Sequence, residues 1–186
     1  MATKIYIDQG HNPQNPNAGA EGNGLREQDI TYEIGQRLSQ ILRSEGYETR
    51  LSRPTPTTQL GTSNATSLAA RVNDANAWGA NYFISLHTNA AEAESARGSE
   101  AYVYRRGSAA FSLAEDILTG LANTTGLPTR GVFLRPSLYV LRKTNMPAVL
   151  IELGFITNPE DAELMSERPY LFARGIADGI NEYLGM

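Results

Sequence analysis

The stretch Lys4-Ile-Tyr-Ile-Asp-Gln-Gly-His11 decides the fold, because it starts as an apolar strand and ends in one of only two histidines. Two further apolar runs end in the same way. Tyr82-Phe-Ile-Ser-Leu-His87 carries the other histidine, and Ala148-Val-Leu-Ile-Glu152 ends in a carboxylate. Open α/β sheets build their ligand sites outside the carboxyl ends of buried parallel strands. The three runs therefore predict two imidazoles and a carboxylate at one edge of a sheet.

The rest of the chain alternates between strand patterns and helix patterns, which predicts a layered α/β fold. We expect a single domain over residues 1–186, with a twisted, mostly parallel or mixed sheet of about six strands and helices on both faces. The Asn/Gly/Pro-rich segment 12–24 and the polar segment 54–67 are predicted to be loops around the site. Strands are predicted at 4–8, 47–52, 82–87, 99–105, 138–142 and 148–153. Helices are predicted at 30–42, from Thr66 or Ser67 to Trp78, at 111–121, after Asn158-Pro159 and at 171–184.

Composition excludes several classes of function. The chain of 186 residues contains no cysteine, so a bound metal must use imidazole and carboxylate ligands. A net charge of −4 and the absence of any basic run argue against a nucleic-acid partner. No apolar stretch approaches the roughly 20 residues that a spanning helix needs, and no export signal precedes the first strand.

Both histidines stand at the same end of a buried strand, which favours a metal-dependent hydrolase over two unrelated structural histidines. Two imidazoles and one carboxylate form a recurrent catalytic zinc set with a fourth position for water. The carboxylate is Glu21 or Glu27, which both follow His11. Glu27 has the better anchored backbone at the start of a helix, although it could also serve there only to complement the helix dipole. The residues themselves leave this choice open.

Glu152 interrupts a strand that is otherwise apolar. An unpaired buried carboxylate is costly, so Glu152 needs a partner or a raised pKa. One interpretation is a structural ion pair with an arginine such as Arg71. The other is a general acid and base beside the metal site, which the two neighbouring histidines favour.

Five segments in order resemble the zinc-dependent N-acetylmuramoyl-L-alanine amidases of the amidase-3 type, which are cell-wall hydrolases. The segments are Ile7-Asp-Gln-Gly-His11, Gly19-Ala20 with Leu25-Arg-Glu27, Leu68-Ala-Ala-Arg71 with Ala75-Asn76, Ser85-Leu-His-Thr-Asn89, and Pro147-Ala-Val-Leu-Ile-Glu152-Leu-Gly-Phe155. The resemblance implies that 1–186 is a catalytic amidase domain with a twisted, mostly parallel sheet. It implies one zinc ion held by His11, Glu27 and His87, with Glu152 as the catalytic acid and base.

The implied reaction is hydrolysis of the amide between the lactyl group of N-acetylmuramic acid and L-alanine in peptidoglycan. Asn89 is expected either to hydrogen-bond the substrate or to cap the end of its strand. Two alternatives stay open: another zinc peptidoglycan hydrolase, such as a carboxypeptidase or deacetylase, and a noncatalytic wall-binding module.

The family substrate lies outside the cell, so we expect the chain to act extracellularly on the cell wall. Because no export signal is visible, the sequence suggests a phage lysin, an enzyme released by lysis, or a fragment without its targeting part. We expect a monomer that relies on a separate wall-anchoring module or partner.

Overall fold

A computed structural model describes residues 1–186. The eight strands are β1 Lys4–Gln9, β2 Glu21–Gly22, β3 Leu25–Arg26, β4 Glu48–Leu51, β5 Tyr82–Asn89, β6 Ser99–Val103, β7 Thr129–Leu134 and β8 Ala148–Phe155. The six helices are α1 Glu27–Ser44, α2 Asn64–Trp78, α3 Ala109–Thr125, α4 Tyr139–Arg142, α5 Pro159–Glu167 and α6 Pro169–Leu184.

Six strands form one sheet in the order β4-β1-β5-β8-β6-β7, and β2 pairs with β3 in a separate two-stranded ribbon. Every neighbouring pair in the large sheet is parallel except β6 and β8, which are antiparallel. The mostly parallel, mixed α/β sheet expected from the sequence is therefore confirmed. Because β1, β5 and β8 are parallel neighbours, their carboxyl ends meet at one edge of the sheet.

Alternation along β1 sends side chains to two apolar layers. Ile5 and Ile7 pack in the larger layer with the buried faces of α1, α3 and α6. Tyr6 points to the opposite layer, where its ring stacks on Phe83 with centroids 5.4 Å apart and where α2 and α4 contribute Val72 and neighbouring residues. Helices thus cover both faces, as expected for a sheet with parallel strands. None of these helices is long and apolar enough to cross a bilayer.

The predicted strand at 138–142 is wrong, because this segment forms the short helix α4. Its amide at Arg142 donates to the carbonyl of Leu138 at 3.0 Å, which is a helical hydrogen bond. The outer position beside β6 is taken instead by β7, which the sequence did not predict. Strand β7 lacks clear alternation and contains Gly131 at φ +114°, so its pattern resembles that of a loop.

The residue that caps α2 lies three or four positions before the predicted cap. This residue is Ser63, whose Oγ accepts the Thr66 amide at 3.1 Å, whereas the sequence predicted Thr66 or Ser67 as the cap. The Thr66 hydroxyl in turn accepts the Ser63 amide at 2.9 Å, which completes a capping box. Ser67 therefore does not cap α2, and its hydroxyl contacts the segment that follows His11.

Candidate active site

The structure brings His11, Glu27 and His87 together at the carboxyl edge of β1 and β5. Glu27 Oε1 lies 3.2 Å from His11 Nε2 and 3.3 Å from His87 Nδ1, and the two ring nitrogens are 3.2 Å apart. Glu21 lies in the exposed strand β2 and is not part of this group. The structure therefore selects Glu27 from the two carboxylates that the residues alone left open.

The triangle of ligand atoms has the size that a zinc ion requires. Zinc binds imidazole nitrogen and carboxylate oxygen at about 2.0–2.2 Å, so tetrahedral ligands are separated by about 3.3–3.6 Å. The three observed separations of 3.2, 3.2 and 3.3 Å lie close to that range. The donor set of two nitrogens and one oxygen also suits zinc, so these residues fit the implied ion.

His11 occupies its place through an unusual backbone conformation. Its φ of +69° is in the left-handed region, which costs a residue with a side chain about 1–3 kcal/mol. The His11 carbonyl accepts a hydrogen bond from buried Arg71 at 2.7 Å, and His11 Nδ1 lies 3.2 Å from Asn17 Oδ1. Asn17 itself donates to Ser67 Oγ at 3.1 Å. The two segments predicted as loops around the site thus meet at His11.

His87 is oriented by a buried chain of polar groups. Its Nε2 lies 3.1 Å from Ser85 Oγ, and the Ser85 hydroxyl donates to Asp8 Oδ2 at 2.7 Å. Asp8 forms a fully buried ion pair with Arg71 at 2.8 Å. Burial raises the pKa of Asp8, but the charge of Arg71 and the hydrogen bonds from Arg71 and Ser85 together outweigh it and hold that pKa below the usual value. If Nε2 carries the proton and donates it to Ser85, Nδ1 is left as the free ligand atom of His87.

Glu27 is the first residue of α1 and is held by two backbone amides. Oε1 accepts the Thr88 amide at 2.9 Å, and Oε2 accepts the Ala20 amide at 2.9 Å. Burial raises the pKa of Glu27, but the contacts with His11 and His87 outweigh it and bring the pKa well below the usual value. Glu27 is therefore fixed as a carboxylate, the form that binds a cation.

Two glycines leave the space that the His87 and Glu27 side chains occupy. A Cβ on Gly10 would come within 2.4 Å of the Leu86 carbonyl and 2.6 Å of the His87 ring. A Cβ on Gly19 would lie 2.8 Å from the Glu27 side chain. Larger residues at either position would displace His87 or Glu27.

Glu152 lies one strand away from the triangle, on β8. It is the register partner of His87 on one side and of Glu100 on the other. Its Oε2 is buried without a hydrogen-bond partner, and burial raises the pKa of Glu152 to about 8, with the charges of Glu27 and Glu100 adding to the effect. The sequence left open a structural ion pair between Glu152 and Arg71, but in the structure Arg71 pairs with Asp8.

Glu100 is a site residue that the sequence reasoning missed. Its Oε1 accepts hydrogen bonds from Asn89 Nδ2 at 2.8 Å and from the Tyr102 hydroxyl at 2.5 Å, and its Oε2 accepts one from Arg130 Nε at 2.9 Å. Glu100 and Asp8 both interrupt strand patterns with a carboxylate, as Glu152 does. The signal that found Glu152 could therefore also have found Glu100 and Asp8.

Known proteins are similar to this chain in sequence and in fold. The sequence profile of the N-acetylmuramoyl-L-alanine amidase family Amidase_3 matches residues 5–182. The N-acetylmuramoyl-L-alanine amidase LytC of Bacillus subtilis (strain 168) is 38% identical over 183 residues, which are 96% of this chain and 35% of LytC. The endolysin of Bacillus phage SPP1 is 33% identical in an alignment of 196 positions, gaps included, that covers 100% of this chain and 68% of the endolysin. The chain thus spans about a third of the length of LytC.

Solved structures of amidases are also similar to this chain in fold. The catalytic domain of CwlV, an N-acetylmuramoyl-L-alanine amidase from Bacillus (Paenibacillus) polymyxa, is 31% identical, with a TM-score of 0.85 and 98% coverage of both chains. The amidase AmiC2 of Nostoc punctiforme is 31% identical, with a TM-score of 0.86 and coverage of 99% of this chain and 98% of its own. Since the family match runs from residue 5 to residue 182, the chain belongs to the N-acetylmuramoyl-L-alanine amidase family Amidase_3.

Proposed function

We propose that residues 1–186 form the catalytic domain of a zinc-dependent peptidoglycan amidase. Its reaction is hydrolysis of the amide between the lactyl group of N-acetylmuramic acid and L-alanine. The observation that carries the proposal is the triangle of His11, Glu27 and His87 ligand atoms, with the unpaired carboxylate of Glu152 one strand away. The first three residues are proposed as the ligands of one zinc ion, and Glu152 as the catalytic acid and base.

When bound, zinc would polarise the amide carbonyl and lower the pKa of water, which supplies a nucleophile near neutral pH. Glu152 accepts a proton from the attacking water as the C–O bond forms. It then delivers that proton to the L-alanine nitrogen as the C–N bond breaks, because an amine leaves poorly without protonation. A pKa raised to about 8 lets one carboxyl group both hold and release a proton near neutrality.

The hydrogen bonding of the Asn89 side chain supports the substrate contact expected from the sequence. One hydrogen of its side-chain amide goes to Glu100 Oε1 at 2.8 Å. An asparagine amide has two donor hydrogens. The second hydrogen is the one we propose for the substrate.

A digest of purified peptidoglycan tests the reaction. Mass spectrometry is expected to find intact stem peptides with a free N-terminal L-alanine. Loss of acetyl groups would identify a deacetylase instead, and loss of a terminal amino acid would identify a carboxypeptidase. Wall binding without any cleavage would identify a noncatalytic module.

Two perturbations separate the roles of the site residues. Glu152→Ala is expected to abolish cleavage while zinc content stays near one per chain, and substantial residual activity would remove Glu152 from its role. Chelation is expected to stop the reaction, and added Zn²⁺ is expected to restore it.

The substrate implies action outside the cell, on the cell wall. Because the chain spans about a third of LytC, we propose that a separate module or partner supplies wall anchoring, with this chain acting as a monomer. Tight wall binding by the isolated chain at physiological salt would contradict the separate anchor.

A further inference from the structure

The catalytic face of β6 and β7 carries aromatic side chains that are partly exposed. Helix α3 packs on β6 and β7 from the other side, where Ala101, Val103 and Val132 join the larger apolar layer. On the catalytic face Phe133 is 38% exposed and Tyr102 is half-buried, with their rings 6.5 Å apart. We call this area the β6–β7 surface and define it by Glu100, Tyr102, Phe133 and Arg135.

The β6–β7 surface is continuous with Glu152. Glu100 is the register partner of Glu152, and Tyr102 is the register partner of Leu150. Side chains two residues apart on a strand point to the same face, so Glu100, Tyr102 and Glu152 share one side of the sheet. The Tyr102 hydroxyl donates to Glu100, and the Tyr102 ring contacts Phe133. These two residues therefore link Glu152 to the exposed ring of Phe133.

The order of the strands gives the direction in which the leaving group extends, and this step rests on the proposed function. The metal ligands follow β1 and β5, Glu152 is on β8, and β6 and β7 lie beyond it. The L-alanine nitrogen must be next to Glu152 to receive its proton. The remainder of the stem peptide then leaves on the side away from the metal, which is the β6–β7 surface.

Arg135 is the free cation of this surface. Its guanidinium lies over the rings of Tyr102 and Phe133, 4.9 and 5.8 Å from their centroids. It donates one hydrogen bond, from Nη1 to the Leu134 carbonyl at 3.0 Å, and forms no salt bridge. Arg130, by contrast, is committed to Glu100. Two aromatic rings therefore hold the planar fork of Arg135 in place while most of its N–H groups stay free for a carboxylate.

We propose that the β6–β7 surface binds the stem peptide of the substrate and that Arg135 binds one of its carboxylates. Adjacent strands are about 4.8 Å apart, so β6 and β7 lie about 5 and 10 Å from β8. Two or three extended residues span about 7–10 Å, which carries the acidic second or third residue of a stem peptide to this surface. The chain as a whole carries a negative charge, so an arginine without a carboxylate partner at this surface favours an acidic ligand here.

A pair of soluble substrates tests the proposal. One is an N-acetylmuramoyl tripeptide with free stem carboxylates, and the other is the same molecule with those carboxylates amidated. Arg135→Gln is expected to raise KM for the free acid about five- to tenfold, with kcat within twofold, and to leave the amidated substrate unaffected. The matched control is Arg106→Gln, which removes an exposed arginine stacked over Phe111 at the start of α3 and is expected to change neither substrate.

An equal effect of Arg135→Gln on both substrates, or no effect on either, overturns carboxylate recognition. Calorimetry with the product tripeptide keeps this result separate from the reaction itself. If the wild-type chain binds the peptide and Arg135→Gln does not, the surface assignment stands even without cleavage, and the proposed function fails alone. If the chain cleaves the substrate but binds the peptide independently of Arg135, the surface assignment fails alone.

Discussion

Replacing Ser85 by alanine tests how the fold prepares His87 for a metal. The Ser85 hydroxyl lies between His87 Nε2 at 3.1 Å and Asp8 Oδ2 at 2.7 Å, and Ser85 is completely buried. Without this hydroxyl, the ring loses the partner that fixes its orientation and its proton. The ligand atoms themselves are untouched, so any change in metal affinity reports the support alone.

We expect Ser85→Ala to weaken zinc binding about 10- to 100-fold, the usual cost of removing a hydrogen-bond partner of a metal-binding histidine. This corresponds to about 1.4–2.7 kcal/mol of binding free energy. The fold should survive, because Asp8 keeps its ion pair with Arg71.

Competition against a zinc chelator of known affinity measures the change without recourse to activity. The matched control is Ser39→Ala, which removes a buried hydroxyl that contacts Thr49 Oγ1 at 2.7 Å, on the far part of α1. The control is expected to bind zinc as the wild type does. An affinity of Ser85→Ala within threefold of the wild type would refute the reasoning.

Two further predictions concern stability. In chelator-treated protein, the free energy of unfolding of Glu152→Gln at pH 9 is expected to exceed that of the wild type by on the order of 5 kcal/mol. The folded-state pKa of about 8 exceeds the usual 4.5, so the wild type loses stability as pH rises through that window, and the difference should shrink toward pH 4.5. Urea unfolding at both pH values checks this, and a constant difference would contradict it. Gly10→Ala is expected to lower the free energy of unfolding in urea by about 1–3 kcal/mol and to weaken zinc binding, because its Cβ would clash with Leu86 and His87. Unchanged stability and unchanged zinc affinity would contradict this expected clash.

The strands that carry the site could be predicted because each is a short apolar run with a polar residue at or near its carboxyl end. Ile5, Ile7 and Phe83 are fully buried in the structure, as those runs imply. The first helix was also predictable, because Ile34 and Leu38 repeat at helical spacing and lie in the core.

The outer part of the sheet could not be predicted in the same way. Strand β7 is exposed along much of its length, so burial imposes no alternation on its sequence. The apolar run 138–142 fits a strand equally well, but in the structure it packs against α2 and β8 as the helix α4. Local pattern cannot separate a short helix from a strand when both are half-buried.

The supporting groups of the site depend on contacts between distant segments. Ser85 alternates with apolar neighbours and gives no sign that it holds His87, while the pairing of Asp8 with Arg71 spans 63 residues. Glu100 meets Glu152 only because β6 runs antiparallel to β8. Such partners follow from the topology of the sheet and not from local sequence.

Elemental analysis of the dialysed, active protein tests the central claim most directly. The account predicts one zinc per chain in the wild type and in Glu152→Gln, and almost none in His87→Ala. Full cleavage of muropeptides by wild-type protein that carries no metal, or zinc retained at one per chain in His87→Ala, would contradict it.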